Sequence, residues 1–262
     1  PFIGAIDDVR IYDEALTHAE VVELYETERV DGGVVDPVAG LVAWWKLDNS
    51  GDDSAGIYNL HGAPINVTPA VDRLAQPDGA YEFKANGAIN MGNSAVLNVG
   101  NSTISLWVGP RSTGGALTGT LMSKGGVGNN NRGWKLDLNA GKVQFHTSSN
   151  GTLADNDILV GETTVDDGKW HHVVAELSSG EKRLYIDGQL DAVKSYTGGV
   201  YASPVRCVLG VDSLTSPTAF LNGRLDEVRY YNTPLDAAGV EALYQLEEPG
   251  NLGQATITVN FG

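Results

Sequence analysis

The chain has 262 residues, of which 33 are acidic and 17 basic, for a net charge of −16; it carries 33 glycines and one cysteine. This balance argues against nucleic acid and anionic membrane as partners, because phosphate neutralisation needs clustered Lys and Arg. No apolar run of about eighteen residues is present to span a bilayer, and the lone Cys207, in an apolar stretch, reads as buried packing rather than half of an internal disulfide.

The first element met in chain order is Gly4 to Tyr25, which carries Asp7-Asp-Val-Arg10 and ends in Glu-Leu-Tyr25. It returns without a gap as Gly223 to Tyr244, offset by 219 positions, with Asp226-Glu-Val-Arg229 and Ala-Leu-Tyr244. A period this long is the size of a domain and far exceeds a solenoid unit. Residues 1–26 are therefore expected to be the closing strand and helix of a preceding repeat, truncated from its body. Residues 27–39, with a Gly pair and Pro37 and no sustained period, read as linker. Residues 40–246 are expected to be one complete domain, and 247–262 a linker and the first strand of a following one.

Within the complete domain, Leu41, Ala43, Trp45 and Leu47 alternate as one face of a half-buried strand. Further strands are predicted over 80–83, 103–108, 119–124, 133–138, 142–147, 170–177, 182–186, 205–210 and 223–231. Asp187-Gly188 and Ala140-Gly141 sit between such runs as two-residue hairpin turns, which favour residues that tolerate positive φ. Trp170 is expected to pack in the core. A short helix closes the domain, capped by Asp236 and burying Val240, Leu243 and Tyr244. Glycine-rich turns between short strands make the fold class all-β.

These residues spell a pattern in order: Trp45-Lys-Leu-Asp48, Asp53-Ser-Ala-Gly56, Asn59-Leu-His-Gly62, Ser105-Leu-Trp107, Asp167-Gly-Lys-Trp-His-His-Val173, Leu184-Tyr-Ile-Asp-Gly188 and Asp226-Glu-Val-Arg-Tyr230. The chain resembles the laminin-G-like domains of the concanavalin A-like lectin/glucanase superfamily over residues 40–246. The resemblance implies a jelly-roll sandwich of two antiparallel sheets, commonly with a calcium ion beside the terminal strands, in a non-catalytic module of a secreted or surface protein. In that family the first and last strands are neighbours. Asp48, Asp53, Asn59 and Asp226, all hard oxygen donors, are accordingly the expected Ca²⁺ ligands, with Asp226 brought to the Asp53 loop.

The pair His171-His172 is not a metal site, since adjacent strand residues face opposite ways. The Gly125 to Gly133 loop precedes a strand rather than a helix and lacks the Lys-Ser/Thr of a phosphate loop. Its Asn130 and Arg132, with Trp134, are candidates for hydrogen bonding and stacking on sugar; Tyr58, His146, Tyr196 and Tyr201 are rim candidates of the same kind. The Glu-x-Asp-x-Glu arrangement of retaining glucanases is absent from the sequence. The expected function is a non-catalytic, extracellular carbohydrate-binding or adhesion module, with polysaccharide, glycoprotein glycans or a protein of a surface assembly as partner. The alternatives are a structural spacer of a filament or adhesin, and an accessory module of a polysaccharide-degrading enzyme. The spare segment 2–25 offers chain-to-chain strand pairing.

Overall fold

The structure, a computed structural model, describes residues 38–126 and 131–248 together with positions 12, 15 and 16. The readings made for most of residues 1–37, for 249–262, for segment 2–25 as a pairing strand and for Asn130 lie outside the described residues. Strands are numbered β1–β15 in chain order, and all their pairings are antiparallel. The eight-stranded sheet runs β13 (Gln189–Tyr196), β12 (Gly180–Ile186), β11 (His171–Ser178), β6 (Ser102–Gly109), β15 (Gly223–Tyr231), β4 (Ala80–Phe83), β3 (Thr68–Ala70), with its eighth strand, β1 (Leu41–Trp45), joined to β15 off this order. The seven-stranded sheet runs β10 (Asn156–Thr164), β9 (Lys142–Ser148), β8 (Trp134–Asn139), β7 (Gly119–Lys124), β14 (Val208–Leu209), β5 (Ala88–Asn90), β2 (Ala63–Ile65). Facing residues such as Trp45, Phe83, Leu106, Leu136, Phe145, Val173 and Leu225 form the main core. This is a jelly-roll sandwich of two antiparallel sheets with one short C-terminal helix.

The first strand, β1 (Leu41–Trp45), pairs with β15, so the two ends of the domain meet. A bulge between Leu41 and Ala43 breaks the expected alternation. Ala43, Trp45 and Leu47 enter the main core, whereas Leu41 packs on the opposite side with Val174, Tyr185 and Tyr231. There it meets α1 (Ala237–Glu247), which buries Val240 and Leu243 in the same cluster. Asp236 caps α1 by accepting from the Gly239 amide at 2.8 Å. Tyr244 stacks near Trp107 and His172, with centroids 5.8 and 6.0 Å away. The helix thus covers the outer face of the eight-stranded sheet.

Both hairpin turns have the expected backbone, with positive φ at Ala140, Gly141, Asp187 and Gly188. The structure adds strands that the hydrophobic pattern did not announce, chiefly β10 and β13, and trims the 205–210 run to the two residues of β14. The added strands are the sheet edges, and their outward residues Val160, Leu190 and Val193 are exposed. These edges are sealed by side chains: Asp191 accepts from the amides of Glu162 and Thr163, each at 2.8 Å. Lys182, fully buried, crosses from β12 to the other sheet, where its Nζ meets Asp157 Oδ1 at 2.5 Å and the Asp157 carbonyl at 3.0 Å. Desolvation brings its ammonium down to about 8.

Trp170 is not in the core. It lies half-buried at the end of the eight-stranded sheet, under the Arg224 guanidinium at 4.9 Å and against Gly109, where a Cβ would come within 2.4 Å of the indole. The next two residues do face opposite ways. His172 is buried, bonded to Ser105 Oγ at 2.8 Å, and pushed down to about 3 by desolvation. His171 bridges Asp187 (2.8 Å) and Asp167 (3.0 Å). Its pKa is raised, first by the Asp187 hydrogen bond and against the opposing effect of burial. A raised folded-state pKa gives stability that is fully present below the unfolded value of about 6.5 and lost as pH rises through the folded value. Because the partner carboxylates are more than one-third exposed, the effect is discounted to about 0.5–1 kcal/mol. His171→Gln is expected to flatten the decline of denaturant midpoint between pH 6 and 9; an unchanged slope would refute the assignment.

Candidate functional site

With α1 over one sheet, the outer face of β8–β10 in the other carries a row of polar side chains. In β8, Trp134, Leu136 and Leu138 turn inward to the core, so Lys135 and Asp137 turn outward. In β9, Val143 and Phe145 point inward, leaving Gln144 and His146 beside them, with Lys135 opposite His146 and Asp137 opposite Gln144. From β10, Ile158 pairs opposite His146, and Asn156 completes the row.

A recess of ≈ 50 Å³ opens at the end of this face, lined by Ser123, Arg132, Trp134, Lys135, His146 and Asn156 among others. Gly125, Gly126 and Gly133 form part of its wall. A Cβ on Gly133 would lie 2.5 Å from the Lys124 carbonyl, so the close approach of β7 and β8 here requires glycine. His146 Nε2 lies 3.1 Å from Asp137 Oδ1, and its Nδ1 lies 3.1 Å from Asn156 Nδ2. Lys135 Nζ also pairs with Asp137. Burial by itself raises the Asp137 pKa, but the His146 hydrogen bond and the charges of His146 and Lys135 outweigh it and hold the carboxyl below its usual range. The chain therefore fixes imidazole, amide and ammonium groups in a row without external help, a set suited to hydrogen bonding with hydroxyls.

Of the rim candidates, the structure brings Arg132, Trp134 and His146 to this recess. Trp134 contributes only an edge. Its ring lies in the core, 5.8 Å from Tyr230 and nearly parallel to it, and its Nε1 donates to the Leu97 carbonyl at 2.8 Å. That correction removes it as a stacking platform. Tyr196 is likewise committed, with its hydroxyl on the Gly199 carbonyl at 2.7 Å and its ring packed over Lys182. Tyr201 holds the Ser148 carbonyl through its amide at 2.7 Å, and Tyr58 is exposed on the Gly51–Gly62 loop; neither lines the recess. Lys135, Asp137 and Asn156 were missed, although the period-two pattern of β8 and β9 carries the signal that sends 135, 137, 144 and 146 to one face.

The four expected calcium ligands do not converge. Asp53 is buried, and its carboxylate accepts from the amides of Trp44, Ala55 and Leu60, each at 3.0 Å. Asp226 is 1% exposed and pairs with Arg73 at 2.5 Å. Asp48 and Asn59 are exposed. Among the described residues no group of three or more His, Cys, Asp or Glu is placed to hold a metal ion. With three amides on Asp53 and a guanidinium on Asp226, these residues do not fit Ca²⁺: the donors that would serve the ion already serve the protein. The acidic hollow lined by Asp48, Asp72, Asp78, Asp226 and Glu227 has Arg73 in its wall.

Three comparisons bear on this geometry. No curated protein matches the chain in sequence. Among solved structures, domain 4 of AbnA, a GH43 extracellular arabinanase from Geobacillus stearothermophilus in complex with arabinotriose, superposes with a TM-score of 0.60 at 19% identity, covering 79% of this chain and 98% of that one. The binding domain of botulinum neurotoxin serotype D gives 0.58 at 16% identity, and that of Paraclostridial Mosquitocidal Protein 1 gives 0.58 at 18%. Each covers 79% of this chain, which spans about half (52%) of either binding domain. At these identities the likeness shows the fold. Residues 83–241, more than half of the chain, match the laminin-G family described as concanavalin A-like lectin/glucanases superfamily. The chain belongs to that superfamily, in its laminin-G branch.

Proposed function

We propose that this domain is a non-catalytic carbohydrate-binding module of a secreted or surface protein, and that sugar docks on the outer face of β7–β10 at the Arg132–His146 recess. The observation that carries this reading is the pre-set row of Lys135, His146 and Asn156 that lines the recess on the sheet opposite the one α1 covers. Such a row supplies donors and acceptors fixed by packing and by one another, as sugar hydroxyls require, at little ordering cost. Domain 4 of the arabinanase, solved in complex with arabinotriose, supports the reading by analogy of fold. No helix among the described residues is long and apolar enough to cross a membrane. The absence of paired carboxylates at glucanase spacing supports a role without catalysis.

The test is a glycan and polysaccharide array probed with the chain in calcium and in chelator. Binding to at least one polysaccharide is expected, unchanged by chelator, and reduced about tenfold or more by His146→Ala, which removes the group that orders Asn156 and Asp137. Binding lost in chelator would restore a calcium-dependent site. Absence of binding in both buffers would leave the spacer role.

A further inference from the structure

Arg132 differs from the other groups in the recess. Lys135 and His146 share Asp137, and Asp212 spends its carboxylate on the amide and hydroxyl of Thr218. The Arg132 guanidinium has no hydrogen bond or ion pair among the described residues, and its Nε is buried without a partner. A buried unpartnered donor is unfavourable by itself and is rare in folded proteins. In a chain of net charge −16, an unpaired guanidinium beside a hollow is a feature to account for.

A second guanidinium stands next door. Arg206, exposed and likewise without a partner among the described residues, lines a hollow of ≈ 350 Å³ with Asn93, Pro204, Val205, Ser213, Leu214 and Thr215. The two hollows adjoin. Asp212 lines the first and Ser213 the second, and a Cβ built on Gly126, in the wall of the first, would touch Val205 of the second at 3.7 Å. The smaller hollow admits one or two water-sized groups, hence a carboxylate or a hydroxyl, and the larger admits a sugar ring.

We infer that the ligand is an acidic saccharide, whose carboxylate is held by Arg132 in the small recess and whose chain continues over Arg206. The inference rests on the sugar-binding reading and names its ligand class. The planar fork of arginine matches a carboxylate with two parallel, charge-assisted hydrogen bonds, which an isolated hydroxyl cannot use as fully. Binding then weakens with ionic strength, as an exposed ion pair does.

The experiment is calorimetric titration of the full chain with oligogalacturonate, sialyllactose, neutral arabino-oligosaccharide and a sulfated heparin fragment, at low and high salt. One of the two carboxylated ligands is expected to bind at least tenfold more tightly than the neutral one. Oligogalacturonate as that ligand identifies a polysaccharide backbone, and sialyllactose a glycan terminus. Arg132→Gln is expected to cost at least tenfold more affinity for the acidic ligand than for the neutral one, and so to remove the preference, and Arg206→Gln to lower affinity for longer acidic chains only, both with wild-type melting temperatures. Neutral sugar bound as tightly as acidic, with Arg132→Gln silent, would overturn the inference and leave the sugar-binding reading intact. Sulfated ligand preferred over both carboxylated ones would overturn the carboxylate assignment. Failure of every saccharide would defeat both readings.

Discussion

Replacing Arg73 by methionine lowers the stability of the domain by about 3–5 kcal/mol, the range found when one partner of a buried ion pair is removed. Arg73 is almost inaccessible and sits among three demands. Its Nη1 meets Asp226 at 2.5 Å, its Nε donates to the Glu247 carbonyl at 2.7 Å, and its guanidinium lies 5.2 Å over the Trp107 ring. Desolvation raises Asp226 well above the usual carboxylate range even with Arg73 opposing it. Without the arginine, Asp226 is left to bury a charge alone or take a proton. Glu247 sits in the same network, bonded to Trp107 Nε1 at 2.7 Å and to Arg229 at 2.8 Å, and its carboxyl is pushed up to about 7, first by desolvation. The melting temperature should fall by roughly 6–20 °C for a domain of this size. Arg73→Met combined with Asp226→Leu should recover most of the loss, since apolar replacement of a buried pair is often neutral. Millimolar calcium should leave the wild-type melting temperature unchanged. A single variant within 1 kcal/mol of wild type, or a clear calcium-induced rise in the wild type, would show that Asp226 is not the arginine's partner in solution.

That network was only half legible in the sequence. The repeated Asp-Glu/Asp-Val-Arg announced a terminal strand, and the neighbouring of β1 and β15 followed from the family pattern. Arg73 lies in a loop between Val71 and Gly79 without hydrophobic period, so nothing local tied it to a residue 153 positions away. Calcium was the chemically natural guess for a buried Asp near an Asp/Asn-rich loop, and a side-chain cation does the same electrostatic work. Core strands and the DG hairpin were readable because their alternation and their positive-φ residues are local signals. The edge strands β10 and β13 were not, since a strand whose outward residues include Val160, Leu190 and Val193, and whose backbone is sealed by Asp191, has no clean polar/apolar alternation. The bulge at Leu41 shows the same limit, for one inserted residue moves a side chain to the other face. In the recess, Arg132 was readable as a polar residue of a glycine loop and His146 only as one of four rim candidates. The orientation of Trp134 was not, because the period of β8 needs the partner sheet to say which face is core.

Lys124→Met is expected to destabilise the domain by about 2–4 kcal/mol and to weaken saccharide binding as well. Lys124 ends β7 with no exposed surface, and the three donors of its ammonium are fully used: on Asn93 Oδ1 at 2.6 Å, on the Ser203 carbonyl at 3.0 Å and on the Val205 carbonyl. Among the described residues no carboxylate pairs with it, and desolvation lowers its pKa. The fold tolerates this buried cation because each N–H meets an oxygen, and those oxygens belong to the two loops that flank the proposed saccharide site. Methionine keeps the length and the apolar stem but takes the ammonium donor from the Val205 carbonyl and the exposed Asn93 amide oxygen, and leaves the Ser203 carbonyl only the Asn98 amide at 3.4 Å. The loop carrying Val205 and Arg206 is then tied only by weaker bonds, such as Ser203 Oγ to the Asn131 carbonyl at 2.7 Å. Hydrogen exchange should therefore accelerate around 90–94 and 199–207 while the β11–β12 pair stays protected, and affinity for the acidic saccharide should drop more than tenfold, beyond what Arg206→Gln does alone. Exchange that rises evenly across the whole sandwich would mean that Lys124 supports the fold globally and that the rim owes its shape to other bonds.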